Sequence, residues 1–190
     1  MHAVSRRKIR QVVQVVAVAS AATGVIALAG TTARPAVTLT AIELGQGISV
    51  TPAPGWVIGD QGPGWVTLHN DSSTAEMEIK VKPANGNDAI AVLQGDISRL
   101  SSLSTTGLTN VRDLGAPSGN PLQSPNFQQQ ASVTFNADGT SRMGLIPVVG
   151  SFSELLNTST HQSAFIVFAQ NSDASAAADS DGQAMIDSLL

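Results

Sequence analysis

The sequence has no cysteine. Disulfides, thiol nucleophiles and thiolate metal sites are thereby excluded, as is a lipid-modified N-terminal cysteine. Tyrosine is also absent, and two tryptophans and five phenylalanines are the only aromatic residues in 190. So few rings leave little for stacking bases or sugars. Basic residues are scarce and scattered. There are ten lysines and arginines against fourteen acidic residues, and four of the ten (Arg6, Arg7, Lys8, Arg10) precede residue 30, where no acidic residue occurs. The rest of the chain is acidic. Its basic residues Arg34, Lys80, Lys82, Arg99, Arg112 and Arg142 are too dispersed to neutralise a phosphate backbone. Nucleic acid is not expected as a partner.

Catalytic and metal-binding patterns are missing as well. Besides His2 there are two histidines, His69 at an expected turn and His161 at the start of an expected strand. Neither has a carboxylate or a second histidine at metal-ligand spacing, and both read as exposed turn residues. Gly150-Ser151-Phe152-Ser153-Glu154 begins like a nucleophile elbow but lacks the closing glycine and lies between strands. Gly45-Gln46-Gly47 has no helix-opening glycine after it and reads as a turn. Around Asp179-Ser180-Asp181-Gly182 an EF-hand frame would place Ala177 and Ser188 at its two end positions, so it fails. Glu76 and Glu78 share a strand face with Lys80 and Lys82, which reads as a solvated face with compensating charges. The sequence therefore assigns no catalytic, cofactor-binding or metal-binding residue and expects no cofactor. A hydrolase using Ser151 or His161 is the weakest of the functional readings.

What is present begins with a leader-like segment. A short basic stretch precedes Val12–Gly30, nineteen residues without a charge. At helical rise they span about 28 Å, close to a hydrocarbon core of roughly 30 Å. Ala27-Leu28-Ala29 offers a small-x-small cleavage site, so the segment reads as a retained anchor or a signal peptide. The cations before the run place the N-terminus inside and the body outside. The expected location is thus the cell membrane, single-pass with the C-terminal domain outside, or secretion after cleavage near Ala29. Residues 1–36 form this basic stretch, hydrophobic helix and linker; residues 37–190 form the folded domain.

Within that domain, Val37–Leu44 can be a first strand or part of a stalk. Ile48 and Val50 lead into Pro52-Ala53-Pro54-Gly55, a turn. Trp56–Ile58, Trp65–Leu68 and Met77–Val81 then read as antiparallel strands, with turns at Asp60–Gly64 and His69–Thr74. The Gly55-Trp56-Val57 and Gly64-Trp65-Val66 units read as core anchors next to turns. Ile90, Leu93, Ile97, Leu100 and Leu103 recur at helical spacing behind a cap at Asn87 or Asp88, which predicts an amphipathic helix over 88–104 with Asp96 and Arg99 on other faces. Leu108–Leu114 is extended, and a long loop with three prolines follows. Phe127–Phe135 alternates as a strand, and Asp138-Gly139 predicts a tight hairpin before Arg142–Val149. Ser151–Ser159 reads as a polar connection holding a helical turn at Phe152–Leu156. Ser163–Gln170 reads as a central strand buried on both faces, and a final helix is expected with its cap at Asn171–Asp173.

With Ile48-Ser-Val-Thr-Pro-Ala-Pro-Gly-Trp56, Gly64-Trp-Val-Thr-Leu68, Met77-Glu-Ile-Lys-Val-Lys-Pro83 and the tail Ile186-Asp-Ser-Leu189, the chain resembles the PsbP-like family over about residues 40–190. The resemblance is strongest to the small secreted or membrane-bound actinobacterial members. It implies an α+β fold, an antiparallel β-sheet of about six strands sandwiched between helices, here preceded by one N-terminal hydrophobic helix. It also implies a non-catalytic binding or assembly module. The expected function is therefore a non-catalytic, extracytoplasmic, membrane-tethered domain that binds a protein or cell-envelope component. The alternative is a carrier of a small apolar ligand or lipid, held between the sheet and the helix of Leu93 and Leu100.

Overall fold

The computed structural model describes residues 40–100, 107–141 and 144–190. The opening run of strands is as the alternation predicts, though the first hairpin stands apart. β1 (Ile42–Gly45) and β2 (Ile48–Val50) form a two-stranded sheet of their own. Gly45, Gln46 and Gly47 all take positive φ in the turn between them, the conformation that glycine permits at least cost. β3 (Trp56–Gly62), β4 (Trp65–Asn70) and β5 (Ala75–Pro83) then pair in sequence order. β3 extends through Asp60, Gln61 and Gly62, which the sequence reads as part of a turn. The reversal instead falls at Pro63-Gly64, with Gly64 at φ +80°.

Helix α1 (Ala89–Leu100) follows, with the Asp88 carboxylate accepting from the amide of Ala91 at 2.8 Å as a side-chain cap. β6 (Leu108–Arg112), β7 (Ser118–Pro121), β8 (Gln129–Ser141), β9 (Gly144–Asn157) and β10 (Gln162–Asn171) complete the main sheet, and α2 (Ala178–Asp187) ends the described fold. The main sheet has eight antiparallel strands. Its order is β3-β4-β5-β10-β9-β8-β6, with β7 also paired to β8.

Each face of the sheet buries its own core. On one face Val66, Leu68, Met77, Ile79, Leu155 and Ile166 pack beneath α2, which contributes Met185 and Ile186, and beneath β1–β2. On the other, Ala131, Val133, Phe135, Phe152, Phe165 and Val167 meet α1 through Ala89 and Leu93. β10 serves both faces, as its continuous apolar run predicts. Trp56 closes the first core: its ring is 6.4 Å from Phe168, and its Nε1 donates to Asp181 Oδ2 at 3.2 Å.

The fold class expected from the sequence is corrected. The described chain is mostly β, with one eight-stranded and one two-stranded sheet, and α1 and α2 are only twelve and ten residues long. Six strands sandwiched between helices is therefore not the architecture. The main cause is β9, which runs unbroken through Phe152–Leu156, where the sequence suggests a helical turn. There Phe152, Glu154 and Leu156 alternate with Ser153 and Leu155, and both sets are buried. The proline-bearing loop supplies another strand, β7. Asp138-Gly139 lies inside β8 rather than at a hairpin tip, facing Pro147 and Ile146. The cap of α2 also differs. Ala177 holds that position with no side-chain hydrogen bond, and Asn171–Asp173 forms a separate turn in which the Asn171 side chain accepts from the Asp173 amide.

The expected placement in the cell membrane is corrected too. Among the described residues no helix is long and apolar enough to cross a membrane. At about 1.5 Å per residue α1 reaches only about 18 Å. The hydrophobic helix expected at Val12–Gly30 lies outside the described residues, so nothing in the described structure carries a single-pass arrangement or one secreted after cleavage near Ala29.

Candidate functional site: an acidic groove and a buried ionic cluster

β5 sends Glu76, Glu78, Lys80 and Lys82 to the α1 face of the sheet. In register they lie beside Ala169, Val167, Phe165 and Ser163 of β10. Among the described residues α1 packs on β7, β8 and β9 and reaches β5 through Asp96 on Lys82. The four charges consequently meet two environments.

Glu76 and Glu78 line a groove of about 130 Å³ whose other walls include Leu108, Ile146, Val148 and Val167. Burial raises the pKa of both carboxyls. His69, paired across from Glu76, opposes the shift at Glu76. At Glu78, Lys80 opposes it and Glu76 adds to it. Among the described residues the ion pairs include none for either glutamate. The result is a groove of mixed polar and apolar lining bearing two carboxylates that have no contacting cation among the described residues.

Lys82 is drawn the other way. Its Nζ lies 2.6 Å from Asp96 Oδ2 of α1 and 3.3 Å from Glu154 Oε1 of β9, and it donates to Ser163 Oγ of β10 at 2.9 Å. Glu154 is fully buried and Asp96 nearly so. Arg99 NH1 stands 3.6 Å from Asp96 Oδ1 on the outer side. Burial pushes the Glu154 carboxyl up to about 7; Lys82 and Ser163 pull it down, and neighbouring Asp96 pushes it further up. Glu154 Oε2 has no hydrogen-bond partner.

The sequence reading of these charges holds only in part. Lys80 remains exposed near Glu78, but Lys82 compensates buried carboxylates and not the strand face. Asp96, expected on an outward face, points inward, three residues after the fully buried Leu93. That i, i+3 spacing was the available signal. For Glu154 the signal was its alternation with Phe152 and Leu156.

The remaining candidates are structural. His69 Nδ1 lies 3.3 Å from the Asn70 carbonyl oxygen, and His161 takes φ +53° in the β9–β10 turn. Ser151 is mid-strand in β9, paired with Thr134 and Phe168, which is no strand-to-helix elbow. About six strand residues, roughly 20 Å, separate the level of Ser151 from the His161 end of β10, so the two do not form a site. Asp179 accepts from Gln170 Nε2 at 2.7 Å and Asp181 from Trp56, both in the first turn of α2. Among the described residues no group of three or more His, Asp or Glu is placed to hold a metal ion.

No protein-family model matches the chain, and no curated protein matches its sequence. Solved structures do match. A variant of Mog1 carrying one substitution aligns over 79% of this chain and 94% of its own, at 12% identity and a TM-score of 0.50. The Ran-binding protein Mog1p of Saccharomyces cerevisiae aligns over 79% and 93%, at 12% identity and a TM-score of 0.49. A Bacteroides thetaiotaomicron protein aligns over 73% of this chain and 42% of its own, at 14% identity and a TM-score of 0.32. At such identities the likeness to Mog1 is one of fold.

Proposed function

We propose that the chain is a non-catalytic binding module that takes a partner protein at the groove of Glu76 and Glu78. One observation carries this reading. At one end of the sheet a groove running from β5 across β10, β9 and β8 to β6 holds two carboxylates, Glu76 exposed and Glu78 half-buried, with their pKa raised by burial and no ion pair to either among the described residues. Burying carboxylates without a cation is unfavourable, and a partner segment that brings one repays it. The PsbP-like resemblance belongs to the same proposal, since it too implies a binding or assembly module. The use made of a similar fold by the Ran-binding Mog1p is compatible with it. No observation favours the apolar-ligand carrier. Leu93 is fully buried, and Leu100 packs against the same core, so both side chains serve to seat α1 on the sheet.

Comparative affinity capture tests the proposal, with wild-type chain and a Glu76→Lys/Glu78→Lys variant as baits. Both substitutions sit on the solvent side of β5, so the thermal transition should move little. Proteins captured by the wild type and lost with the variant support the reading. Identical capture by the two baits overturns it.

A further inference from the structure

The groove leaves the buried ionic cluster without a role, although a glutamate at zero exposure in a strand core is costly to keep. The charged groups facing Glu154 come from two elements. β5 supplies Lys82, and α1 supplies Asp96 with Arg99 behind it. β10 contributes the Ser163 hydroxyl and β8 the uncharged Ala131. One half-buried ammonium therefore serves two buried carboxylates, Arg99 reaches only Asp96 from outside, and a proton on Glu154 removes the charge that is fully enclosed. Bound at Glu154 Oε2, that proton turns an orphaned acceptor into a donor beside Asp96. Only Asp96 among the carboxyls rides on α1; Glu154 and Lys82 are fixed in the sheet. α1 is otherwise held by a narrow stripe, with Ala89, Val92 and Leu93 buried and Ile90, Ile97 and Leu100 partly so.

We propose that Lys82, Asp96 and Glu154 form a proton-operated latch between α1 and the sheet, closed while Glu154 holds a proton and loosened when that proton leaves. Losing it strands an extra negative charge beneath the helix. The element that can open to admit water is α1, which, unlike Glu154 and Lys82, is not tied into a strand ladder. The window follows from the cluster's chemistry. A carboxyl raised to about 7 stabilises the closed arrangement fully below its ordinary value near 4.5, and that contribution is lost as pH rises through 7.

Native-state hydrogen exchange of the full chain between pH 5.5 and 8, corrected for intrinsic rates, tests the latch, with α2 as internal reference. The expected result is a fall in α1 protection on the order of tenfold or more, at one decade per pKa unit. α2 should stay unchanged, and Glu154→Gln should abolish the fall. α1 protection that does not change with pH, or α1 and α2 falling in parallel, overturns the latch; so does a fall that persists in Glu154→Gln. The wild-type comparison of α1 with α2 decides the matter even if that variant does not fold.

Discussion

Replacing Lys82 by methionine removes the one cation that touches both buried carboxylates while keeping most of the side chain's volume. In the native protein its ammonium stands 2.6 Å from Asp96 and 3.3 Å from Glu154. A unit charge pair at about 4 Å is worth roughly 4 kcal/mol at an effective dielectric of 20. Taking one partner from a buried pair costs about 3–5 kcal/mol, because the other is left charged and unsolvated. Lys82→Met should therefore lose about 3–5 kcal/mol at pH 8, a large share of the roughly 5–15 kcal/mol that holds a domain together. At pH 5.5 Glu154 carries its proton and Arg99 still neutralises Asp96 from outside, so the loss should shrink to about half. Adding Glu154→Gln to Lys82→Met should recover part of the stability at pH 8. Urea unfolding at both pH values, read from the midpoint at constant m-value, measures all three quantities. A Lys82→Met chain within about 1 kcal/mol of wild type at pH 8 would refute the reasoning, as would a loss that is larger at pH 5.5 than at pH 8.

The raised Glu154 pKa makes wild-type stability fall as pH rises from 5 to 8. A shift from 4.5 to about 7 converts to about 2–3 kcal/mol over that range; urea midpoints should show this slope in wild type and lose it in Glu154→Gln. Trp56→Phe removes the hydrogen bond to Asp181 and should cost about 1–2 kcal/mol, whereas Trp56→Ala should cost about 3–5, both read by the same assay. Gly150→Ala puts a Cβ into the Phe168 carbonyl oxygen and 2.8 Å from Phe135 Cζ, both held by the sheet. It should cost about 3 kcal/mol or prevent folding, seen as a lowered thermal midpoint or loss of soluble protein.

The strands that alternate cleanly were legible. β5 with Met77, Ile79 and Val81, the first half of β8 with Ala131, Val133 and Phe135, and the apolar β10 all stand where period-two spacing puts them. α1 was equally plain from its stripe and from Asp88. The failures share one cause: local chemistry was overruled by distant partners. Asp138-Gly139 has turn chemistry, yet β6 binds Asp138 through Asn110 and Arg112 and keeps β8 extended there. Glu154 looks like a loop residue until Lys82, seventy-two positions away, is known to reach it. The groove was half visible. Glu76 and Glu78 could be assigned to one strand face, but that Lys82, on the same face, is engaged by Asp96 and Glu154 could not be read from the strand alone. The facing wall from Leu108 and Ile146 arises only when the sheet assembles.

Photo-crosslinking in cells tests the binding account most directly. A photoreactive side chain would stand in place of Thr140 on the groove, and another in place of Ala184 on the far face as control. The account predicts a discrete protein adduct from position 140 and none from 184, with the adduct lost when Glu76→Lys/Glu78→Lys is added. No adduct specific to position 140, or one that survives the charge reversal, would contradict it.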